Sequence, residues 1–237
     1  MTRPADQKSP PDIDIPRMFD GIAGRYDLLN RLLTLGMDIL WRRAMVKSLQ
    51  LSAGASVLDL ACGTGDVALA IARRHTEVKI FGADPAPAML ERAVRKLPQL
   101  HPVVCVAEQL PFADDAFEAV TVAFGVRNFA HLDEGLAEIG RVLKPGGQLA
   151  VLEFARADRG PLRGFYRWYV GRALPLIGGI LSRSEAYRYL PESIERFPAP
   201  AEFMAILESA GIGGIETRYW LGGSVWLYCG RTASAPA

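Results

Sequence analysis

The 237-residue chain has few of the residue types that build metal centres. It contains three histidines and three cysteines, and Cys62, Cys105 and Cys229 form neither a CxxC pair nor another metal-ligand spacing. An odd and sparse cysteine count is typical of proteins from a reducing compartment. We therefore expect a protein of such a compartment with no bound metal.

An excess of charge of one sign and long apolar runs are also missing. The 27 basic and 26 acidic residues nearly cancel, whereas general nucleic-acid-binding proteins usually have a basic excess, so no nucleic-acid partner is expected. No apolar run reaches the ~18–20 residues that span a bilayer. The first residues, MTRPADQKSPPD, are polar and proline-rich and have no apolar signal core. These features favour a cytoplasmic protein with a disordered lead-in at residues 1–14.

Segments with strand and helix patterns alternate along the chain. This alternation predicts an α/β fold with a mostly parallel seven-stranded sheet and helices on both faces. The last two strand patterns, IETRYW and SVWLYCG, flank Gly222-Gly223 and predict a C-terminal antiparallel hairpin. The five earlier strand-like segments are 55–61, 78–84, 103–107, 117–124 and 148–154.

The same alternation predicts one domain over residues 15–232. Apolar stripes over 15–50 predict an N-terminal helical cap that is interrupted near Gly36. Residues 155–198 break the strand–helix rhythm, and we interpret them as a helical insertion.

A glycine-rich loop, VLDLACGTGD over residues 57–66, follows the first predicted strand and opens a helix. Glycines at this place let the backbone turn tightly and approach a nucleotide-like ligand. The third glycine of the dinucleotide fingerprint GxGxxG is missing, and Asp66 follows Gly65 instead. Two carboxylates, Asp59 and Asp66, flank the loop and would repel a pyrophosphate. A ligand with a cationic end and no phosphate, such as S-adenosylmethionine, suits them better.

An acidic residue also ends the second predicted strand. Asp84 lies 19 residues after Gly65, close to the spacing at which an acidic residue binds ribose hydroxyls. Asp84 could instead only cap the helix that begins near Pro85. The segment AEQLPF after the third strand, which begins at Ala107, is the expected place for an adenine.

Several ordered motifs resemble those of class I methyltransferases. They are VLDLACGTGD, GAD, AEQLPF, AFGVRN, RVLKPGG and LEF. Two longer segments, FDGIAGRYDLLNRLLTLGMDILWRR and EAYRYLPESIERFP, are more specific. Together they resemble the menaquinone/ubiquinone-biosynthesis C-methyltransferase family from about Phe19 to Tyr228. The resemblance implies a Rossmann-like enzyme that uses S-adenosylmethionine to methylate a ring carbon of a polyprenyl quinol, most directly demethylmenaquinol or else the benzoquinol precursor of ubiquinone.

The resemblance also implies which residues contact the cofactor. In chain order they are Asp59, Gly63, Thr64 and Gly65 at the methionine end, Asp84 at the ribose, Val106 and Ala107 at the adenine, and Ala123 beside the ligand.

Two of these positions depart from the family pattern. Val106 stands where an Asp or Asn commonly accepts the adenine amino proton, and Ala123 stands where the family often has a serine. One side-chain acceptor and one hydroxyl contact are therefore expected to be absent.

Ring methylation requires an electron-rich carbon, which a hydroquinone gains when a hydroxyl loses its proton. Arg127 and Asn128 follow the fourth predicted strand. Arginine stays protonated, so Arg127 is expected to stabilise the phenolate, and Asn128 to bond the second ring oxygen. Tyr26 could close over the reacting methyl or be a half-buried core residue. His131 could accept a proton, although a surface position at a helix start fits it better.

Residues 161–183, PLRGFYRWYVGRALPLIGGILSR, combine arginines with aromatic and apolar residues. This composition suits an interfacial helix and a peripheral membrane contact on the cytoplasmic face, where a substrate with a prenyl tail would be met. A helical flap that packs on the protein's own core is the alternative. A homodimer is compatible with the sequence.

Other functional classes remain open at this level. A dehydrogenase would need the third glycine that the loop lacks. A methyltransferase for another small molecule, or a non-catalytic domain that keeps the fold, would also match the glycine loop. No NPPY-type amino-methylation motif follows the fourth strand, where FGVRN stands instead.

Overall fold

A computed structural model describes residues 14–156 and 186–234. Within these ranges seven strands form one sheet in the order β3-β2-β1-β4-β5-β7-β6. The first five strands are parallel, and β7 pairs antiparallel with both β5 and β6, which confirms the predicted fold. The strands are β1 (Ser56–Leu60), β2 (Lys79–Ala83), β3 (His101–Val103), β4 (Phe117–Ala123), β5 (Leu143–Phe154), β6 (Ile212–Trp220) and β7 (Val225–Thr232).

The described helices lie in three groups along the chain. Three precede the sheet, three connect its parallel strands, and two precede β6. They are α1 (Ile15–Ile22), α2 (Tyr26–Leu33), α3 (Met37–Ser48), α4 (Asp66–Arg74), α5 (Pro87–Lys96), α6 (Leu132–Val142), α7 (Ala186–Arg196) and α8 (Pro200–Ser209). None of them combines the length and apolar character that a bilayer crossing requires.

Alternate residues of the central strands pack into two separate cores, because successive side chains of a strand point to opposite faces. Leu58 of β1 joins the core that α6 and α8 cover, whereas Val57 joins the core under α3, α4 and α5. The helices therefore bury both faces of the sheet, and the carboxyl ends of β1, β2 and β4 open at one edge.

The third strand was expected over residues 103–107, and this predicted position is wrong. β3 pairs with β2 only through His101–Val103, and the chain then leaves the sheet. Val104 and Val106 are 60% and 46% exposed, so the apolar run is a loop segment. This departure places Val106 and Ala107 beyond the sheet edge, next to the ends of the neighbouring strands.

Smaller differences concern the ends of elements. α5 begins at Pro87 rather than Pro85, because the Asp84 carboxylate accepts the backbone N–H of Ala86. α6 begins at Leu132 with His131 at its N-cap, so Asp133 lies inside the first turn. β5 begins at Leu143 and carries the KPGG turn as an irregularity before Gln148. Residues 186–196 of the expected insertion are helical, and residues 157–185 lie outside the described part.

Phe203 of α8 is fully buried and contacts the rings of Phe197 and Tyr228 at centroid distances of 4.9 and 5.0 Å. We expect Phe203→Ala to lower the free energy of unfolding by about 3–5 kcal/mol, because it leaves a cavity in the core. Urea denaturation measures the change. The neighbouring exposed Glu202→Ala is the control and should shift stability by no more than about 0.5 kcal/mol; equal effects would show that α8 does not close this core.

Candidate active site

The glycine loop joins β1 to α4 through backbone conformations that side chains disfavour. Gly63 and Gly65 have φ values of +54° and +79°. A Cβ on Gly65 would lie 2.9 Å from the Cβ of Ala93 on α5, whereas a Cβ on Gly63 would meet only the Tyr26 ring at 3.9 Å. Gly65 is therefore needed for packing, and Gly63 for an open approach to the cleft.

Asp59 lies beneath this loop and is 1% exposed. Its carboxylate accepts the backbone N–H of Ala68 in α4 at 3.1 Å and the hydroxyl of Thr121 in β4 at 2.9 Å. Burial raises the pKa of Asp59 to about 7, although these two hydrogen bonds act to lower it. Asp59 fixes the first turn of α4 to the sheet and does not line the cleft surface.

Asp66 has a different role from the one expected of it. Its carboxylate lies 3.1 Å from Arg31, 3.7 Å from Arg42 and 2.6 Å from Lys96. Burial alone would raise its pKa, but the hydrogen bond from Lys96 and the nearby Arg42 lower it. Because three cations already offset this charge, the argument that Asp66 attracts a cationic ligand is wrong.

The cleft beside the loop has a volume of about 330 Å³. The ends of β1, β2 and β4 form its floor, and the N-terminal helices and the loop after β3 form its walls. Seven of the predicted site residues line it, namely Tyr26, Gly63, Asp84, Val106, Ala107, Ala123 and Asn128. Asp59, Thr64, Gly65 and Arg127 are not among the lining residues.

Asp84 is the buried acid of this cleft. One of its oxygens accepts the backbone N–H of Gly63 at 2.8 Å, and the other accepts that of Ala86 at 2.9 Å. Burial raises its pKa. Each carboxylate oxygen keeps further acceptor capacity, so Asp84 can receive hydroxyl donors from a ligand while the backbone holds it in place.

A polar network fastens the N-terminal helices to the loop. Thr64 is 3% exposed; its hydroxyl donates to Asp27 of α2 at 2.5 Å and accepts from Lys96 of α5 at 3.1 Å. Lys96 also lies 2.7 Å from Asp27. Thr64 thus holds the cap that places Tyr26 over Gly63, rather than facing the cleft.

Arg127 lies in a 3₁₀ turn after β4, with its side chain 7% exposed. It donates to Glu153 of β5 at 2.6 Å, to Ser193 of α7 at 3.2 Å and to the carbonyl of Phe124 at 2.5 Å. Burial raises the pKa of Glu153, and Arg127 opposes this shift. Within the described residues, the Nη2 group of Arg127 makes no hydrogen bond.

Asn128 is held by a residue that the sequence analysis did not single out. Its side-chain oxygen accepts the hydroxyl of Tyr189 on α7 at 3.1 Å, which leaves its amide N–H groups for a ligand in the cleft. Tyr189 and Ser193 are four residues apart and share one face of α7, so the YRYLPESI segment supports both members of the Arg127-Asn128 pair. His131 is exposed at the start of α6 and is not among the cleft-lining residues.

The fold is that of class I methyltransferases. A SAM-dependent methyltransferase from Thermotoga maritima, described as a possible histamine N-methyltransferase, matches 91% of this chain and 99% of its own with a TM-score of 0.66 and 21% identity. The cyclase SpnF matches 93% of this chain and 96% of its own with a TM-score of 0.68 and 18% identity. Since these likenesses include a cyclase, they establish the fold and not the reaction.

Sequence comparison is more specific, because the model of the ubiE/COQ5 methyltransferase family matches residues 3–231. A demethylmenaquinone methyltransferase from Thermus thermophilus is 49% identical over 82% of this chain and 90% of its own length. A ubiquinone/menaquinone biosynthesis C-methyltransferase from Syntrophotalea carbinolica is 45% identical over 93% of this chain and 94% of its own. The chain belongs to the ubiE/COQ5 methyltransferase family.

Lys96→Met should loosen the cap, because it removes the cation that Asp27, Thr64 and Asp66 share. We expect amide exchange in α2 to accelerate by about five- to tenfold, in line with a loss of about 1 kcal/mol. Hydrogen-exchange mass spectrometry measures this. The matched control is Arg95→Met, since the Arg95–Glu91 pair on the same helix is largely exposed; unchanged exchange in Lys96→Met would show that the cap is held by other contacts.

Arg127→Met should lower the free energy of unfolding by about 3–5 kcal/mol at neutral pH, because Glu153 is left as an unpaired buried charge. Burial raises the folded-state pKa of Glu153, and a raised carboxyl pKa makes stability fall as pH rises. This variant should therefore be less destabilised at about pH 5 than at about pH 8. Adding Glu153→Gln should restore part of the loss at the higher pH. Urea denaturation at both pH values is the measurement, and a double variant as unstable as the single one would contradict the pairing.

Proposed function

We propose that this chain is an S-adenosylmethionine-dependent C-methyltransferase that methylates a ring carbon of a polyprenyl quinol, most directly demethylmenaquinol. The observation that carries the proposal is the family match over residues 3–231, together with relatives named for this reaction. Other relatives are named for both ubiquinone and menaquinone biosynthesis, so the benzoquinol precursor of ubiquinone is the second candidate substrate. We assign the activity to one domain, residues 15–232.

The cleft supports this cofactor. Asp84 would bond the ribose hydroxyls with the acceptor capacity that its two backbone bonds leave. Gly63 lets the ligand approach the loop backbone, while Asp59, Thr64 and Gly65 act mainly by holding the loop in shape. Val106 and Ala107 would border the adenine, and Ala123 would lie beside the ligand. The bound cofactor supplies a methyl group on a positively charged sulfur.

The substrate would meet the turn after β4. Loss of a ring hydroxyl proton to solvent would give a phenolate that makes the adjacent carbon nucleophilic. That carbon would take the methyl group as the methyl–sulfur bond breaks, and it would then lose its own proton to restore the aromatic ring. The two N–H donors on Nη2 of Arg127 would stabilise this oxyanion, with Glu153 and Ser193 holding the guanidinium in place. The amide of Asn128 would donate to the second ring oxygen, and Tyr26 would cover the reacting methyl and exclude water.

The prenyl tail places the substrate in or near a membrane, so we propose that a cytoplasmic enzyme works at the membrane surface. The predicted contact through residues 161–183 lies outside the described residues.

Methyl transfer from labelled S-adenosylmethionine to demethylmenaquinol and to the ubiquinone precursor, measured side by side, tests the function. We expect turnover of the naphthoquinol. Asn128→Ala should lower kcat by about 10- to 100-fold, since it removes one hydrogen bond to a charged oxygen, and should leave cofactor affinity within about twofold. His131→Ala is the control with unchanged turnover. Turnover of neither quinol would refute the function, and full activity of Asn128→Ala would refute the site.

A further inference from the structure

A groove with a concentrated positive charge runs between α3 and α4, on the far side of the polar network from the cleft. Its volume is about 650 Å³. Among the described residues, the only acid that lines it is Asp66, whose charge Arg31, Arg42 and Lys96 already offset. The cations that line it are Arg31, Arg42, Arg43, Lys47, Arg73 and Arg74.

Four of these cations, Arg43, Lys47, Arg73 and Arg74, are exposed. None of them makes an ion pair or a side-chain hydrogen bond with any residue in the described ranges. The whole chain has a formal net charge of only +1. Four uncompensated cations along one groove are therefore a local feature of this face, not a consequence of composition.

The groove follows both helices along their length. Arg42, in the middle of α3, lies 3.7 Å from Asp66 at the start of α4, and Val46 and Lys47 near the end of α3 line the same groove as Arg73 and Arg74 at the end of α4. α3 and α4 thus lie side by side in the same direction, with their cations along one surface.

Exposed leucines lie on α2, on α3 and in the turn between them, close in sequence to the groove-lining residues Arg31 and Ile39. Leu28, Leu32, Leu35 and Leu40 are 57%, 44%, 80% and 61% exposed. Leu35 also has a left-handed backbone, with φ of +51°, which a leucine adopts only at a cost in energy. Because Leu35 is exposed, contacts with the protein's own core do not offset this cost.

Leu40 connects the exposed leucines to the cations of the groove. On α3, Leu40, Arg43 and Lys47 follow the spacing i, i+3, i+7 and so share one helical face. On α2, Tyr26 lines the cleft, while Leu28 and Leu32 are exposed farther along the same helix. α2 therefore carries both a cleft-lining residue and two of the exposed leucines.

We propose that the α2–α3 leucines and the α3–α4 groove form a docking surface for an anionic lipid bilayer. Leucines would enter the boundary between headgroups and acyl chains, and the four cations would meet lipid phosphates. A nucleic acid would use the cations but gain nothing from exposed leucines. The inference that docking gives access to a prenyl-tailed substrate rests on the proposed function. The inference that this surface binds a bilayer does not.

Flotation of the full chain with phosphatidylcholine vesicles, with and without phosphatidylglycerol, tests this surface. We expect binding only to the anionic vesicles. The double variant Arg43→Glu/Lys47→Glu should weaken it by at least about 30-fold, since each basic residue near such a surface contributes about 1 kcal/mol. The matched control is Lys79→Glu/Arg95→Glu, which makes the same charge change elsewhere and should bind like the unaltered chain.

The leucines are tested separately with Leu35→Asn/Leu40→Ser, which should also weaken vesicle binding, against Tyr219→Ser as a control at an exposed aromatic residue. Vesicle binding that survives both double variants, equal binding to neutral vesicles, or binding of RNA in preference to vesicles would overturn the proposal. So would size-exclusion data in which the same variants dissolve a dimer, because the surface would then join two copies.

Activity on a short-tailed, detergent-dispersed quinol separates this inference from the function. The docking variants should keep full activity there and lose it only on vesicle-embedded substrate. If the unaltered chain lacks activity on the dispersed quinol, the proposed function fails while the vesicle result still decides the docking surface.

Discussion

The parallel pairing of β1 with β2 on one side and β4 on the other is the constraint on which the candidate site depends. In this register Leu60 lies opposite Ala83 and Val122, so the three strands end within one residue of one another. The next residues of each strand, the glycine loop, Asp84 and Ala123, therefore meet at one edge although the chain separates them widely. In parallel sheets, ligands bind at this edge at the point where the strand order reverses. In this sheet the order reverses between β1 and β4.

Around this edge, each buried or half-buried carboxyl group is held by donors from a different element. Asp59 joins β1 to α4 and β4, Asp66 joins α4 to α3 and α5, and Glu153 joins β5 to the turn after β4. A buried pair of this kind adds little net stability, but breaking one partner is costly. Such pairs therefore fix the positions of the loop, the cap and the turn relative to one another more than they strengthen the fold.

The sequence was sufficient for the features that depend on local pattern. The glycine loop, Asp84 and the strand–helix alternation are set by short spacings, and the structure places Gly63 and Asp84 in the cleft as expected. The third strand was misplaced because Val103 to Ala107 is an apolar run, and periodicity alone cannot distinguish a short strand from a loop that borders a cleft.

Interactions between distant residues could not be predicted in the same way. Lys96 pairs with Asp27 and Arg127 with Glu153 only because the fold brings them together. One indication was present: Glu153 is a lone acid inside the apolar strand pattern QLAVLEF, and a charge at such a position requires a partner. Its partner, however, could have been any arginine of the chain. Arg127 follows β4, as the sequence predicts. The sequence pattern does not show that the Glu153 carboxylate already pairs with part of its guanidinium.

The partial use of Arg127 has a chemical consequence. A guanidinium with all five donors in water loses solvation when it binds an oxyanion, and it must also be oriented. Arg127 is already desolvated and oriented by Glu153, Ser193 and the Phe124 carbonyl, so its remaining donors lie in a fixed direction before any ligand arrives. Preorganised donors of this kind stabilise developing charge more than mobile ones. The helix that supplies Ser193 also supplies Tyr189 to Asn128, and so one face of α7 sets the geometry of both side chains at the proposed substrate position. A change in α7 would therefore alter the proposed substrate position without touching the residues proposed to hold the cofactor.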